Sequence, residues 1–244
     1  MNLLITFATA RRLLTQLRHD KRTVAMLVLM PALLLLLLRY VFNSEQVFSR
    51  VAPALLGVFP FLIMFMISSI TTLRERTTAT LERLMTMPIA KLDLLFGYAL
   101  AFGLLAVVQV SITAAVTLAW LGVDINGPVW MLLLIAVLDA LLGMALGLFV
   151  SAFARTEFQA MQFMPVFVMP QVLLCGLFVP RGHMAPVLDS LSDAMPLSYA
   201  VEALNHVVTY PDIDHTVIRD LVIVAGCALL ALVLGAVTLR RRTP

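Results

Sequence analysis

The stretch Val129 to Ala154 reads VWMLLLIAVLDALLGMALGLFVSAFA, 26 residues in which Asp139 is the only charge. A bilayer core of about 30 Å needs roughly 20 apolar residues at 1.5 Å of rise each, so this run is long enough to cross a membrane as a helix. Working outward, five more runs have the same character: Thr23 to Phe42, Val51 to Leu73, Leu94 to Leu121, Phe158 to Val179 and Leu221 to Leu239. The expected architecture is an all-α integral membrane protein with six transmembrane helices. Composition agrees, because 61% hydrophobic and 13% charged residues over 244 positions leave too little polar surface to coat a water-soluble globule.

The connectors set the orientation. Thirteen of the 17 lysines and arginines fall on one side: Arg11, Arg12, Arg18, Lys21, Arg22, Arg74, Arg76, Arg83, Lys91, Arg155 and Arg240 to Arg242. Only Arg39, Arg50, Arg181 and Arg219 fall on the other. By the positive-inside rule both termini are expected in the cytoplasm, in keeping with an even number of crossings. The net charge of +3 then reflects topology, and nucleic-acid binding is not needed to explain it. The first run is preceded by a basic segment and lacks a small-residue cleavage pattern behind it, so it is expected to stay as an anchor. Cys175 and Cys227 both sit in apolar surroundings and read as small core residues.

Residues 1–22 form the first segment. Leu3, Leu4, Phe7, Ala10, Leu14 and Leu17 recur at helical spacing with arginines on other faces, which reads as an amphipathic helix on the cytoplasmic membrane surface, against the alternative of a solvated basic leader. Residues 23–239 form the six-helix domain, and 240–244 a basic cytoplasmic tail. The connector of about 75–88 is centred on a short helix with Leu81, Leu84 and Met85 on one side and Glu82 and Arg83 beside them, closed by Pro88. It is too charged for the membrane and too apolar to prefer water on every face, as a segment docking into a partner's groove would be. An ordinary basic loop is the alternative.

Here the chain resembles a known family. Thr80-Leu81-Glu82-Arg83-Leu84-Met85 followed by Pro88, with Glu75-Arg76 ahead and Leu92-Asp93-Leu94-Leu95 then Gly97 behind, is similar to the coupling-helix region of ABC-2 type export permeases. Ala79 stands where that family usually has glycine. Gly176-Leu177-Phe178-Val179-Pro180 followed by Pro196-Leu197-Ser198-Tyr199-Ala200-Val201-Glu202-Ala203-Leu204 is a second match, with Asn205 where arginine is common. The resemblance covers nearly the whole chain and is nearest the drug-resistance branch typified by daunorubicin exporters. It implies the permease subunit of an ATP-driven exporter in a bacterial cytoplasmic membrane, moving a hydrophobic or amphipathic drug, antibiotic or lipid-like compound outward. Glu75, Arg76, Thr80, Leu81, Glu82, Arg83, Leu84 and Met85 would then engage a separate cytoplasmic ATPase subunit, present in two copies. No G-x-x-x-x-G-K-[ST] phosphate loop occurs in this sequence, so ATP and Mg2+ would be bound by that partner and the chain itself would be no enzyme. A second permease subunit, either a copy of this chain or a paralogue, is also implied, along with contacts to membrane lipids. The segment of about 181–217 would form extracellular re-entrant helices, an amphipathic surface loop being the alternative.

Asp139 is the only carboxylate well inside an expected span, and ionised Asp near a helix centre costs about 2.5 to 3.5 kcal/mol on insertion scales. It shares a face with Gly143 and Gly147 in a G-x-x-x-G helix-packing pattern, which favours a hydrogen bond to a neighbouring helix over a proton or substrate site. The fifth run gathers Met161, Gln162, Met164, Pro165, Met169, Pro170 and Gln171, and in the resembling family this span borders the dimer interface and the substrate path. On that footing Met161, Gln162 and Met164, with Met64, Met66 and Ser68, line a greasy conduit; the alternative is that they are core or lipid-facing filler. The four histidines show no metal-ligand spacing, and no metal site is expected. Two other classes compete. A secondary transporter would want several intramembrane ionisable residues, and an intramembrane lipid-modifying enzyme would want clustered His, Asp or Glu at one membrane face.

Overall fold

The computed structural model describes residues 3–78 and 91–238. Helix α1 (Leu3–His19) ends at Asp20, whose N–H donates to the Leu17 carbonyl, and the chain turns there directly into α2 (Lys21–Phe42). A tight corner follows, with Asn43 in the left-handed region at φ 44° and the Ser44 hydroxyl accepting from the Val47 N–H. Helix α3 (Glu45–Thr77) then runs for 33 residues, about 50 Å, so it overshoots the bilayer core at its ends. Helix α4 (Lys91–Ala115) finishes in a π-helical turn, Val116–Trp120, where the Thr113 and Thr117 hydroxyls donate back to the Gln109 and Thr113 carbonyls.

The second half begins with α5 (Val129–Val150). Two short helices follow, α6 (Glu157–Phe167) and α7 (Met169–Leu174), then α8 (Pro186–Asp193), α9 (Pro196–Thr209) and α10 (His215–Thr238). Among the described residues five helices are long and apolar enough to cross a bilayer: Val24–Phe42, Glu45–Thr77, Asp93–Trp120, Val129–Val150 and His215–Thr238.

The run Phe158 to Val179, expected as one span carrying two helix breakers, Pro165 and Pro170, is divided. Pro170 has no N–H to continue the α6 ladder, the helix breaks at Val168, and beyond Leu174 the chain leaves helix altogether, passing through Gly176 at φ 91°. The long connector beyond it is also more deeply built in than a surface loop would be. Helix α9 buries Leu197, Ala200, Val201, Leu204 and Val207 against α3, α5 and α10, whereas the apolar face of α8 at Val187, Leu188 and Leu191 is exposed. The carbonyls at the end of α9 are met by the loop ahead of α5, with Asn126 N–H donating to Val208, Gly127 N–H to Val207 and the Asn126 amide to Thr209.

The centre is the pair α3 and α5, which run parallel in a simple register. Gly57 lies opposite Asp139, Phe61 opposite Gly143 and Phe65 opposite Gly147. A Cβ at Gly143 would collide with the Phe61 carbonyl, and one at Gly147 with the Phe65 carbonyl and the Ser68 hydroxyl. Small residues at these points allow backbone to approach backbone, which is how helices gain contact where lipid removes any hydrophobic drive between them. Ser68 uses the proximity to donate to the Met144 carbonyl at 3.0 Å. On the far side of α3, the Gln109 amide of α4 donates to the Leu27 carbonyl of α2 at 3.0 Å. Helix α1 lies against α4, its Thr9 side chain filling the space over Gly97.

Overpacking this seam costs about 1–3 kcal/mol per added methyl group. Gly143→Ala and Gly147→Ala are each expected to lower the melting temperature of the purified protein, whereas Gly226→Ala, with open space around it, leaves it unchanged or raises it. Equal melting temperatures for all three would show that α3 and α5 do not meet as described.

Candidate functional site

The basic end of the molecule holds α1, the last turn of α3 and the first turn of α6. Two ion pairs fix the end of α3 there. Glu75, its side chain 3% exposed, meets Arg12 of α1 at 2.9 Å. One residue earlier, Arg74 grips Glu157 of α6 through Nε at 2.6 Å and Nη2 at 3.2 Å. Thr156 makes the second contact possible, because its side chain caps α6 by accepting from the Gln159 N–H and so sets Glu157 in the first turn. The Arg74 guanidinium holds the Glu157 carboxyl below its usual range. Arg76 is half-buried beside these pairs. Thr80, Leu81, Glu82, Arg83, Leu84 and Met85, the remainder of the expected coupling helix, lie outside the described residues. What the structure gives is the anchorage of the segment that leads into them: the last turn of α3 is held from two sides, Glu75 by α1 and Arg74 by α6.

The residues expected to line a conduit separate into three groups. Met66 and Met164 share the wall of a cleft of about 500 Å³ between α1, α2, α3 and α6. Met64 and Ser68 are fully buried on another face of α3, and Ser68 is bonded to the α5 backbone. Met161 and Gln162 are exposed on α6. The cleft also takes Met26 and Met30 from α2, Gln16 from α1 and Asp20 from the turn that follows it. Sequence reasoning passed over these, although each pair is spaced i, i+4 and so marks one stripe of its helix.

Asp139 is fully buried, and among the described residues neither of its carboxyl oxygens has a hydrogen-bond partner. Its neighbour across the seam is Gly57, where a Cβ would stand 3.1 Å from Oδ2. The interhelical hydrogen bond expected for it is therefore not formed there.

At the opposite end a basin of about 930 Å³ opens between α3, α8, α9 and α10 and the chain around Gly176. Arg181 bridges its walls by bonding to Asp193 of α8 and, at 2.7 Å, to Glu202 of α9, with its guanidinium over the Tyr199 ring. Arg219 of α10 meets Glu202 at 3.5 Å and the buried Asp220 at 2.7 Å. No local spacing signals this network, since its members come together only when α8, α9 and α10 pack.

Comparison with known proteins points one way. A family model described as ABC-2 type transporter matches residues 4–208. The chain is similar to the "Probable multidrug ABC transporter permease YbhS" of Escherichia coli strain K12, 22% identical over 206 residues, covering 84% of this chain and 55% of that one. It is also similar to the "Linearmycin resistance permease protein LnrN" of Bacillus subtilis strain 168, 24% identical over 138 residues, covering 57% and 36% respectively. A third relative is the "ABC transporter G family member 20" of Dictyostelium discoideum, 24% identical over 156 residues, covering 64% of this chain and 21% of that one. The chain thus spans about half or less of the length of these relatives.

Two measurements follow from the geometry. Because the Glu157 carboxyl is depressed by its partner, whatever the Arg74–Glu157 pair contributes is present above pH 4.5 and is lost as pH falls through the folded value. A double-mutant cycle with Arg74→Gln and Glu157→Gln, followed by thermal melting, is expected to give a coupling at neutral pH of no more than about 1 kcal/mol, since both side chains are exposed, falling toward zero in acid. Asp139→Asn removes no hydrogen bond that the described residues make, so its melting temperature is expected to equal or exceed that of the unsubstituted protein. A clear drop would reveal a partner for the carboxyl.

Proposed function

The chain belongs to the ABC-2 type transporter family, and from that premise we propose that it is the membrane permease of an ATP-driven exporter that carries a hydrophobic or amphipathic compound outward. The observation that carries this reading is the family match over residues 4–208. ATP and Mg2+ are then bound by a separate ATPase subunit in two copies. That subunit engages the segment of about 75–88, and a second permease, identical or paralogous, completes the assembly. The names of two relatives, a probable multidrug permease and a linearmycin resistance permease, support a substrate that is a drug, an antibiotic or a lipid-like molecule.

The topology proposed with it has six crossings. The five long helices supply five, and α6 with α7 makes the remaining one as a broken helix. Breaks at membrane depth are tolerated where protein or water covers the freed backbone groups. Helices α8 and α9 form the re-entrant pair, with α9 enclosed by the bundle. Both termini lie in the cytoplasm of a bacterial cell, since the excess of lysine and arginine sits on their side. The ion pairs at Arg12 and Glu157 support the coupling role. A push delivered through the connector reaches the end of α3, and the two pairs share it with α1 and α6.

The test is co-purification. Gently solubilised protein is expected to bring down an ATPase subunit in stoichiometric amount, and Glu82→Ala/Leu84→Ala is expected to lose it while retaining the expression level and melting temperature of the parent. Intact protein that never carries an ATPase would overturn the reading and turn attention to Asp139 and a secondary transporter.

A further inference from the structure

Asp139 stands midway along α5, about 15 Å of helix from either end. Its side chain is fully buried and, among the described residues, neither carboxyl oxygen has a partner. The four helices packed against α5 bring no cation to it. From Val51 to Leu73, α3 has no charged or titratable residue, and α4 has Lys91, Asp93 and Tyr98 near its basic end. On α9 are Glu202 and His206, and on α10 are His215, Arg219, Asp220 and Cys227. Arg219 is committed to Glu202 and Asp220, and Arg181 to Asp193 and Glu202. Cys175, just past α7, lies close enough to feel the Asp139 charge. An ionised carboxylate so placed has neither water nor a counter-charge.

The surroundings also limit what can neutralise it. Neither the outer basin nor the inner cleft reaches Asp139, so an organic amine has no room. A hard metal ion wants several oxygen ligands, and no group of three or more His, Cys, Asp or Glu gathers among the described residues. A proton needs neither the space nor the ligands. Its way in is short. Oδ2 lies against Gly57, and Pro53, one turn outward on α3, lines the basin together with Ala54 and Cys175. One helical pitch, about 5 Å, is thus the step from the level of the carboxyl to the basin. Leu204 of α9 fills the space beside it, since a Cβ at Gly57 would stand 2.6 Å from its Cδ1.

We propose that Asp139 is a proton-binding site at the centre of the bundle, occupied in the arrangement described and served by the outer basin. Loading forms one O–H bond at the carboxylate with a proton from water on that side, and unloading reverses it. Contact between α3, α5 and α9 closes over the neutral acid, and movement of Leu204 away from Gly57 opens the way for exchange. The site goes beyond the export reading and does not depend on it.

The experiment is infrared spectroscopy of the full chain in lipid nanodiscs at neutral pH, set against Asp139→Asn. A protonated carboxyl group has a carbonyl band that ionised carboxylates lack, and the band shifts on exchange into D2O. One such band is expected to be present and to disappear in Asp139→Asn, with the melting temperature retained. If the substitution removes only carboxylate absorption, Asp139 is ionised and the proposal is overturned. The route is read from the rate at which the band shifts after transfer to D2O. Asn205→Trp and Val51→Trp, which crowd the basin from α9 and α3, are each expected to slow the shift several-fold. Met66→Trp, which crowds the inner cleft, is expected to leave it unchanged. Exchange indifferent to the basin substitutions would sink the outer route, and having two of them keeps the test alive should one fail to fold. Every reading comes from the permease alone, so the proton site and the export reading fail separately.

Discussion

Close approach of α3 and α5 along Gly57, Gly143 and Gly147 is the constraint on which the remaining structure rests. In lipid no helix gains by hiding apolar side chains from its surroundings, so association depends on dense contact and on hydrogen bonds between helices. Missing Cβ atoms let the carbonyls of Phe61 and Phe65 come against α5, and Ser68 adds a bond to Met144. With that seam fixed, the buried face of α9 has a floor to lie on and α10 has a second surface to meet. The same seam orients α3, so that Met64 faces the core while Met66, two residues on and roughly 200° around the helix, faces the cleft.

Polar contacts occupy distinct levels of this frame. At the basic end Arg12 and Glu157 tie α1 and α6 to the foot of α3. At the opposite end Arg181 and Arg219 lace three short or terminal helix segments together through shared carboxylates. Between them lies Asp139, without a partner among the described residues in a region where unpaired charge is expensive. Two ionic clusters thus stand at opposite ends of the molecule, joined by the long helices between them.

Much of this was legible in the chain itself. Membrane helices declare themselves because a bilayer demands a contiguous apolar length, and Val129 to Val150 or Thr23 to Phe42 satisfy it without ambiguity. Pro165 and Pro170 marked the fifth run as interrupted, but not where it divides. Hydropathy averages over Pro165 and Pro170, whereas the ladder depends on the single N–H that Pro170 lacks. For the candidate path, composition flagged methionine but not facing. Ser68 lies four residues from Met64 and shares its buried face, so those two went to the core together, while Met66 and Met164 met at the cleft. Likewise, Arg181, Glu202 and Arg219 are too far apart in sequence for any spacing rule to join them.

The contact of Thr9 with Gly97 carries a consequence for how the protein is made. Helix α1 cannot take its final position until α4 exists, and 88 residues separate the two contact points. At translation rates of about 5–20 residues per second, that is a wait of roughly 4–18 s. Through that interval the apolar stripe of α1 rests on the membrane surface, and its arginines meet lipid headgroups until Glu75 of α3 is made and can pair with Arg12. In the finished bundle Ala10, Leu13 and Leu17 turn to the neighbouring helices while Leu3, Leu4 and Phe7 stay exposed, so the segment keeps an apolar edge for the membrane surface after it has docked. A substitution that weakened the stripe would act on insertion before it acted on the mature fold.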